Sequence, residues 1–148
     1  MKIYFDVCCY NRPFDDQTQD KIHLESEAVL SIISIGRSRN WNFVGSEVID
    51  LEVSKIPDSD KMAKVHTLSC DCRHYCTVDH NIKIRAVGLE KVGFKPFDAL
   101  HICCAEKSKA DVLLTTDEDF LRKAEQYSRI LMVRVENPIK WLMEVIGK

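Results

Sequence analysis

Hydrophobic positions in this chain come either in short continuous runs or at intervals of three and four residues. The two patterns alternate from one end to the other. Ile3-Tyr4-Phe5 reads as a buried strand that stops at Asp6. Residues 7–16 carry Asn11, Pro13, Asp15 and Asp16, the punctuation of a loop. Over 17–37, Leu24, Ala28, Ile32 and Ile35 recur at helical spacing, which predicts a long helix with Asp16 as its N-cap. A second strand is predicted over 42–46, then a helix over 47–56 that Pro57 ends. Further helices are predicted over 59–68, over 81–92 with Gly93 as the stop, and over 96–109. Between the first two of these, residues 70–76 show no clear period, and 76–78 suit a short strand. A buried strand over 111–116, a helix over 117–127, a strand over 130–135 and a helix opened by Pro138 complete the chain.

Short apolar strands alternating with helices imply a parallel sheet covered on both faces, an α/β fold. The 148 residues suit one domain spanning 1–148, and neither a repeat nor a linker interrupts it. No apolar run reaches the roughly 18 residues of a membrane helix. The opening Met1-Lys2-Ile3-Tyr4-Phe5-Asp6 is charged too early for a signal peptide, so no membrane association and a cytoplasmic location are expected.

In an open parallel sheet, ligands bind beyond the carboxyl ends of the strands. Asp6 ends the first strand and Asp117 follows the strand Val112-Leu113-Leu114, so both belong to the same edge. On a helix over 47–56, Val48, Ile49, Val53 and Ile56 form an apolar stripe with Glu52 in its middle. Glu47 and Asp50 fall on the opposite side. A carboxylate inside an apolar stripe is costly unless paired or metal-bound. Asp98 borders the apolar Ile102 and Ala105, although its place in a first helical turn also suits the helix dipole. Converging carboxylates repel one another until protonated or met by a cation. Mg²⁺ and Mn²⁺ suit an oxygen-rich ligand set, and such a site can activate water for phosphodiester hydrolysis.

With these residues in hand, the chain resembles the PIN-domain proteins, a group of metal-dependent ribonucleases that includes the toxins of VapBC-type toxin–antitoxin systems. The resemblance rests on Leu113-Leu114-Thr115-Thr116-Asp117-Glu118-Asp119-Phe120, on Phe97-Asp98-Ala99-Leu100-His101 and on Ile3-Tyr4-Phe5-Asp6. The stretch from Asp6 to Asp16 is similar to a prokaryotic PIN subgroup without an assigned partner. The resemblance implies a three-layer α/β/α fold with a sheet of four or five parallel strands. It implies Asp6, Glu52, Asp98 and Asp117 as metal-site acids, Thr115 as a residue orienting an acid or the water, and Asp119 as an outer ligand. Glu52-Val53 with Ser46 upstream fits the family's glutamate, while Glu47 and Asp50 stand as substitutes. RNA as substrate, Mg²⁺ or Mn²⁺ as cofactor, a small antitoxin protein as partner and a homodimer as assembly follow from the same resemblance.

Charge and cysteines qualify this reading. The net charge of -2 is not that of a protein gripping nucleic acid by charge alone, so positive charge must be local or metal-borne. Arg12 and Lys95, each close in sequence to a candidate acid, are the favoured members of a substrate rim. Arg37, Arg39, Lys83, Arg85 and Lys91 are further candidates. The seven cysteines are odd in number and include two vicinal pairs, which favours reduced, mostly buried thiols. Cys70, Cys72, His74 and Cys76 are the right types for zinc but lack the spacing of a knuckle. His101 reads as a core histidine with a hydrogen-bond partner.

Two other classes compete. A catalytically weak PIN-like scaffold that binds nucleic acid or protein would bind metal without turnover. Phosphotransfer chemistry also uses an Asp at the end of the first strand. However, the phosphatase type wants a second acid where Cys8 stands, and a receiver wants its paired acids before the first helix.

Overall fold

A computed structural model describes residues 1–147. Five strands form one sheet: β1 (Lys2–Phe5), β2 (Asn42–Ser46), β3 (His74–Cys76), β4 (Val112–Leu114) and β5 (Arg134–Glu136). Every pairing is parallel and the order is β3-β2-β1-β4-β5. The helices are α1 (Val7–Asn11), α2 (Asp20–Arg39), α3 (Glu47–Ser54), α4 (Ser59–Ser69), α5 (His80–Lys91), α6 (Pro96–Lys107), α7 (Glu118–Gln126) and α8 (Pro138–Ile146). Connections that run outward to β3 and those that return toward β5 lie on opposite faces, because parallel crossovers are right-handed. The result is a three-layer α/β/α architecture with α2 against α8 and α5 against α6. No helix of the described residues is long and apolar enough to cross a membrane.

The central strand is fully buried at Ile3, Tyr4 and Phe5, and so is β4 at Val112, Leu113 and Leu114. Apolar runs without alternation mark strands covered on both faces. Because β1 lies at the centre, the chain leaves it in one direction for β2 and returns on its other side as β4. The crevice between the ends of β1 and β4 is therefore the switch point of the sheet. Asp6 N donates to Leu114 O at 2.9 Å and Thr115 N to Glu136 O at 3.0 Å, which extends the ladder just past the strand ends.

Five features differ from the sequence expectations. The stretch after Asp6 is helical, with α1 followed by a 3₁₀ turn over Arg12–Phe14, because Val7, Cys9 and Tyr10 are buried. The long helix begins at Asp20 with Gln19 as N-cap, and Asp16 Oδ1 instead closes a turn on Thr18 N and Oγ1. Its buried stripe is Glu25, Ala28, Val29, Ile32, Ile33 and Gly36, so Leu24 is exposed. Gly36 carries the Phe43 ring: an added Cβ would lie 2.5 Å from Phe43 Cζ. Finally, β3 includes Tyr75 and β5 begins only at Arg134, after a 3₁₀ turn over Ser128–Ile130.

A buried carboxylate ties the first helices to the last. Glu25 is fully buried on α2. Arg12 Nε reaches its Oε1 at 3.0 Å, and Asn137 Nδ2, from the N-cap of α8, reaches its Oε2 at 2.9 Å. Arg12 also pairs with Asp15 at 2.9 Å, and Lys61 of α4 meets the same carboxylate at 2.7 Å.

Candidate functional site

Asp6 sits at the end of the central strand with extended backbone, in the N-cap position of α1. Its carboxylate makes no capping bond. It turns instead toward the switch-point crevice, where it is 5% exposed. Thr115 Oγ1 donates to Asp6 Oδ2 at 2.8 Å, and the Cys8 thiol donates to the same oxygen at 3.2 Å. The Thr115 hydroxyl also accepts from Asp117 N at 3.1 Å. One fully buried threonine thus links the acid after β1 to the acid after β4.

Two further elements close on Asp6. Ser46 caps α3 by accepting from Ile49 N at 3.0 Å, which sets where the helix starts. The apolar stripe Val48, Ile49 and Val53 then buries that face and brings Glu52 inward. His101, one turn into α6 from Asp98, donates from Nε2 to Glu52 Oε1 at 2.6 Å. The same nitrogen lies 3.5 Å from Asp6 Oδ1. Asp6, Glu52 and His101 each offer a ligand atom within 4.8 Å of the other two.

The electrostatics define the remaining members. Burial pushes the Asp98 carboxyl up to about 7, and the charges of Asp6 and Asp117 add to the rise. His101 and Lys95 oppose it. Burial works against a charged His101, yet the bond to Glu52 and the charges of Asp6, Glu52 and Asp98 together raise its pKa above the ordinary value. Negative charge is therefore in excess in a partly dry crevice, the condition in which a divalent cation is stabilising. The carboxylate oxygens present fit such an ion.

The family model of the PIN domain matches residues 43–126, more than half of the chain. The chain belongs to the PIN-domain family. Among solved structures, this PIN domain is similar to FitAcB from Neisseria gonorrhoeae, with a TM-score of 0.58 and 14% identity over 92% of this chain and 97% of that one. It is also similar to VapBC2 from Rickettsia felis bound to a DNA fragment from their promoter. There the TM-score is 0.57 at 15% identity, covering 93% of this chain and 98% of the other. At these identities the likeness is one of fold. No curated protein matches the chain.

Within this PIN domain the sequence-derived candidates separate by position. Asp6, Glu52, Asp98, Asp117 and Thr115 gather at the C-terminal edge of the sheet. Of the three candidate glutamate-position acids, Glu52 alone approaches Asp6. Glu47 Oε1 accepts from Val78 N at 2.9 Å, and Asp50 Oδ2 accepts from the Tyr75 hydroxyl at 2.5 Å, both on the β3 side. Asp117 also caps α7, accepting from Asp119 N and Phe120 N with one oxygen. Asp119 is 71% exposed and pairs with Arg122 at 2.9 Å. Lys95 is the exposed N-cap residue of α6, beside Asp98.

Arg12, expected on a substrate rim, lies half-buried in the 3₁₀ turn after α1. Its guanidinium is held by Glu25 and Asp15, because a buried carboxylate needs a cation more than a solvated surface does. The cysteine–histidine segment does not assemble a zinc site among the described residues. Cys70 ends α4 as its exposed C-cap residue, Cys72 packs against Gly45, and Cys76 is buried beside Cys104. The residue that sequence reasoning underrated is His101. Its spacing of three from Asp98 puts both on one helical face, but nothing local announces a carboxylate as its partner.

Proposed function

We propose that this PIN domain, read as spanning residues 1–148, is a metal-dependent endoribonuclease that hydrolyses RNA phosphodiester bonds, and that it is the toxin of a toxin–antitoxin pair. The reading is carried by one observation: a buried Asp6 held by Thr115, with His101 and Glu52 beside it and close enough to Asp98 that its charge, with that of Asp117, raises the Asp98 carboxyl.

Asp6, Glu52, Asp98 and Asp117 are the residues that would hold Mg²⁺ or Mn²⁺, in an oxygen-rich set suited to either. When bound, the ion supplies an acidified water and neutralises charge on the phosphate. Thr115 keeps Asp6 turned into the site, and its buried hydroxyl leaves that carboxylate one orientation. In the metal-free protein burial and the charges of Asp6 and Asp117 push the Asp98 carboxyl up to about 7, a repulsion that a bound cation would relieve. Lys95 stands next to Asp98 as the cation available to a substrate phosphate.

The partner in this reading is a small antitoxin protein. The likeness to VapBC2, a structure of that system on promoter DNA, supports it. A homodimer is the expected assembly. The deciding experiment incubates the purified protein with structured and single-stranded RNAs in EDTA, Mg²⁺ or Mn²⁺, beside an Asp98→Asn variant. Metal-dependent cleavage lost in the variant supports the assignment. Cleavage that survives in the variant refutes it. Metal binding without cleavage of any RNA favours a scaffold.

A further inference from the structure

Beneath the carboxylates lies a tier of buried polar side chains. Tyr4 in β1, Ser46 at the end of β2 and His101 in α6 are all fully buried. Each burial is unfavourable unless every polar atom finds a partner. Here the atoms form a chain. The Tyr4 hydroxyl lies 2.8 Å from Ser46 Oγ and 2.6 Å from His101 Nδ1, and His101 Nε2 lies 2.6 Å from Glu52 Oε1.

The direction of the last bond follows from chemistry. A carboxylate only accepts, so Nε2 carries the hydrogen. The phenol stands between a hydroxyl and Nδ1, donating to one and accepting from the other. Either arrangement leaves Nε2–H aimed at Glu52. Ser46 is itself anchored by the Ile49 N–H, so the relay starts from the backbone of the helix that carries Glu52. Among the described residues, His101 is the only side chain hydrogen-bonded to the Glu52 carboxylate. Without that bond, a half-buried glutamate on rotatable methylenes has no fixed direction.

We propose that His101 is a positioning residue that holds the Glu52 carboxylate against Asp6, with Tyr4 and Ser46 fixing the imidazole in turn. This rests on the reading of the acids as a metal site. His101 would act on the ion through Glu52 and not as a ligand. Groups that orient metal ligands in this way typically change metal affinity by about 10- to 100-fold when removed.

The test is Mn²⁺ binding without RNA, followed by the electron spin resonance signal of free Mn²⁺, in wild type, Tyr4→Phe, His101→Leu, His101→Gln and the Tyr4→Phe/His101→Leu double variant. Tyr4→Phe keeps the ring and its packing, so folding is preserved even if a His101 variant fails. Expected is a loss of about 10-fold or more in His101→Leu, a smaller loss in Tyr4→Phe, and partial recovery in His101→Gln, whose amide nitrogen can donate to Glu52. The double variant should bind no worse than His101→Leu, because Tyr4 acts only through His101. Frozen-solution spectra of the wild type should show no imidazole nitrogen coupled to the manganese. Unchanged affinity in both Tyr4→Phe and His101→Leu, additive losses in the double variant, or imidazole coupling would each overturn the proposal while leaving the metal site intact. A wild type that binds no Mn²⁺ would instead remove the metal-site reading itself, and this proposal with it.

Discussion

Asp98 gives the sharpest test of the site's electrostatics, because its surroundings make its charged form a stability defect in the metal-free protein. Its carboxyl titrates at 3.8 when unperturbed and is pushed up to about 7 in the fold, first by burial and then by Asp6 and Asp117. A folded pKa above the unfolded one means that the fold binds the proton more tightly. Stability from this group is then fully present below about pH 4 and is lost as pH rises through about 7. The gap corresponds to about 4 kcal/mol at 1.36 kcal/mol per pH unit. Asp98 is only half-buried, and solvent screening brings a realistic figure to about 2 kcal/mol. Asp98→Asn removes the charge while keeping the shape. In EDTA the variant should be about 2 kcal/mol more stable than wild type at pH 8, and the advantage should shrink to nothing near pH 4. Urea unfolding at pH 4, 6 and 8 measures this through the shift in midpoint at constant slope. If the four acids hold Mn²⁺ as proposed, saturating Mn²⁺ should reverse the order at pH 8. A variant whose stability relative to wild type does not vary between pH 4 and 8 would show that burial and the charges of Asp6 and Asp117 do not raise the Asp98 carboxyl.

The other expectations concern single contacts. Thr115→Val removes a buried hydroxyl that donates to Asp6 and accepts from Asp117 N, so it should lower stability by about 2–3 kcal/mol in thermal or urea unfolding, and Thr115→Ser should retain most of it. Arg12→Leu leaves the Glu25 carboxylate with Asn137 alone. A loss of about 3 kcal/mol is expected, largely recovered in an Arg12→Leu/Glu25→Leu double variant whose unfolding is followed by circular dichroism. Asp119→Asn should leave Mn²⁺ affinity unchanged in a direct titration, because that side chain is exposed and paired with Arg122.

Much of the architecture was legible from local physics. Continuous apolar runs at Ile3-Tyr4-Phe5 and Val112-Leu113-Leu114 specify strands covered on both faces, and helical spacing between them specifies crossovers. Where the sequence misled, the cause was competition among local signals. Asn11, Pro13 and Asp15 read as loop punctuation, yet burial of Val7, Cys9 and Tyr10 folds the segment into a helix and a 3₁₀ turn. Leu24 fits the helical period of α2 as well as Glu25 does, and its residue type argues more strongly for burial. The partners Arg12 and Asn137 decide for Glu25, and neither is a neighbour in the chain.

The same division runs through the site. Strand ends are local, so the chain by itself located Asp6 and Asp117 at one edge of a parallel sheet, while Asp98 read only as bordering a buried helix face. A period of 3.6 likewise set Glu52 on the inner face of α3, apart from Glu47 and Asp50. What a carboxylate touches is not local. Only the packed fold brings Thr115 to Asp6 across 109 positions and His101 to Glu52 across 49. Only the fold pairs Arg12 with Glu25. Periodicity reports which way a side chain faces from its own backbone. Its partner depends on which elements the sheet order makes neighbours, and that order is decided by the packing of the whole core.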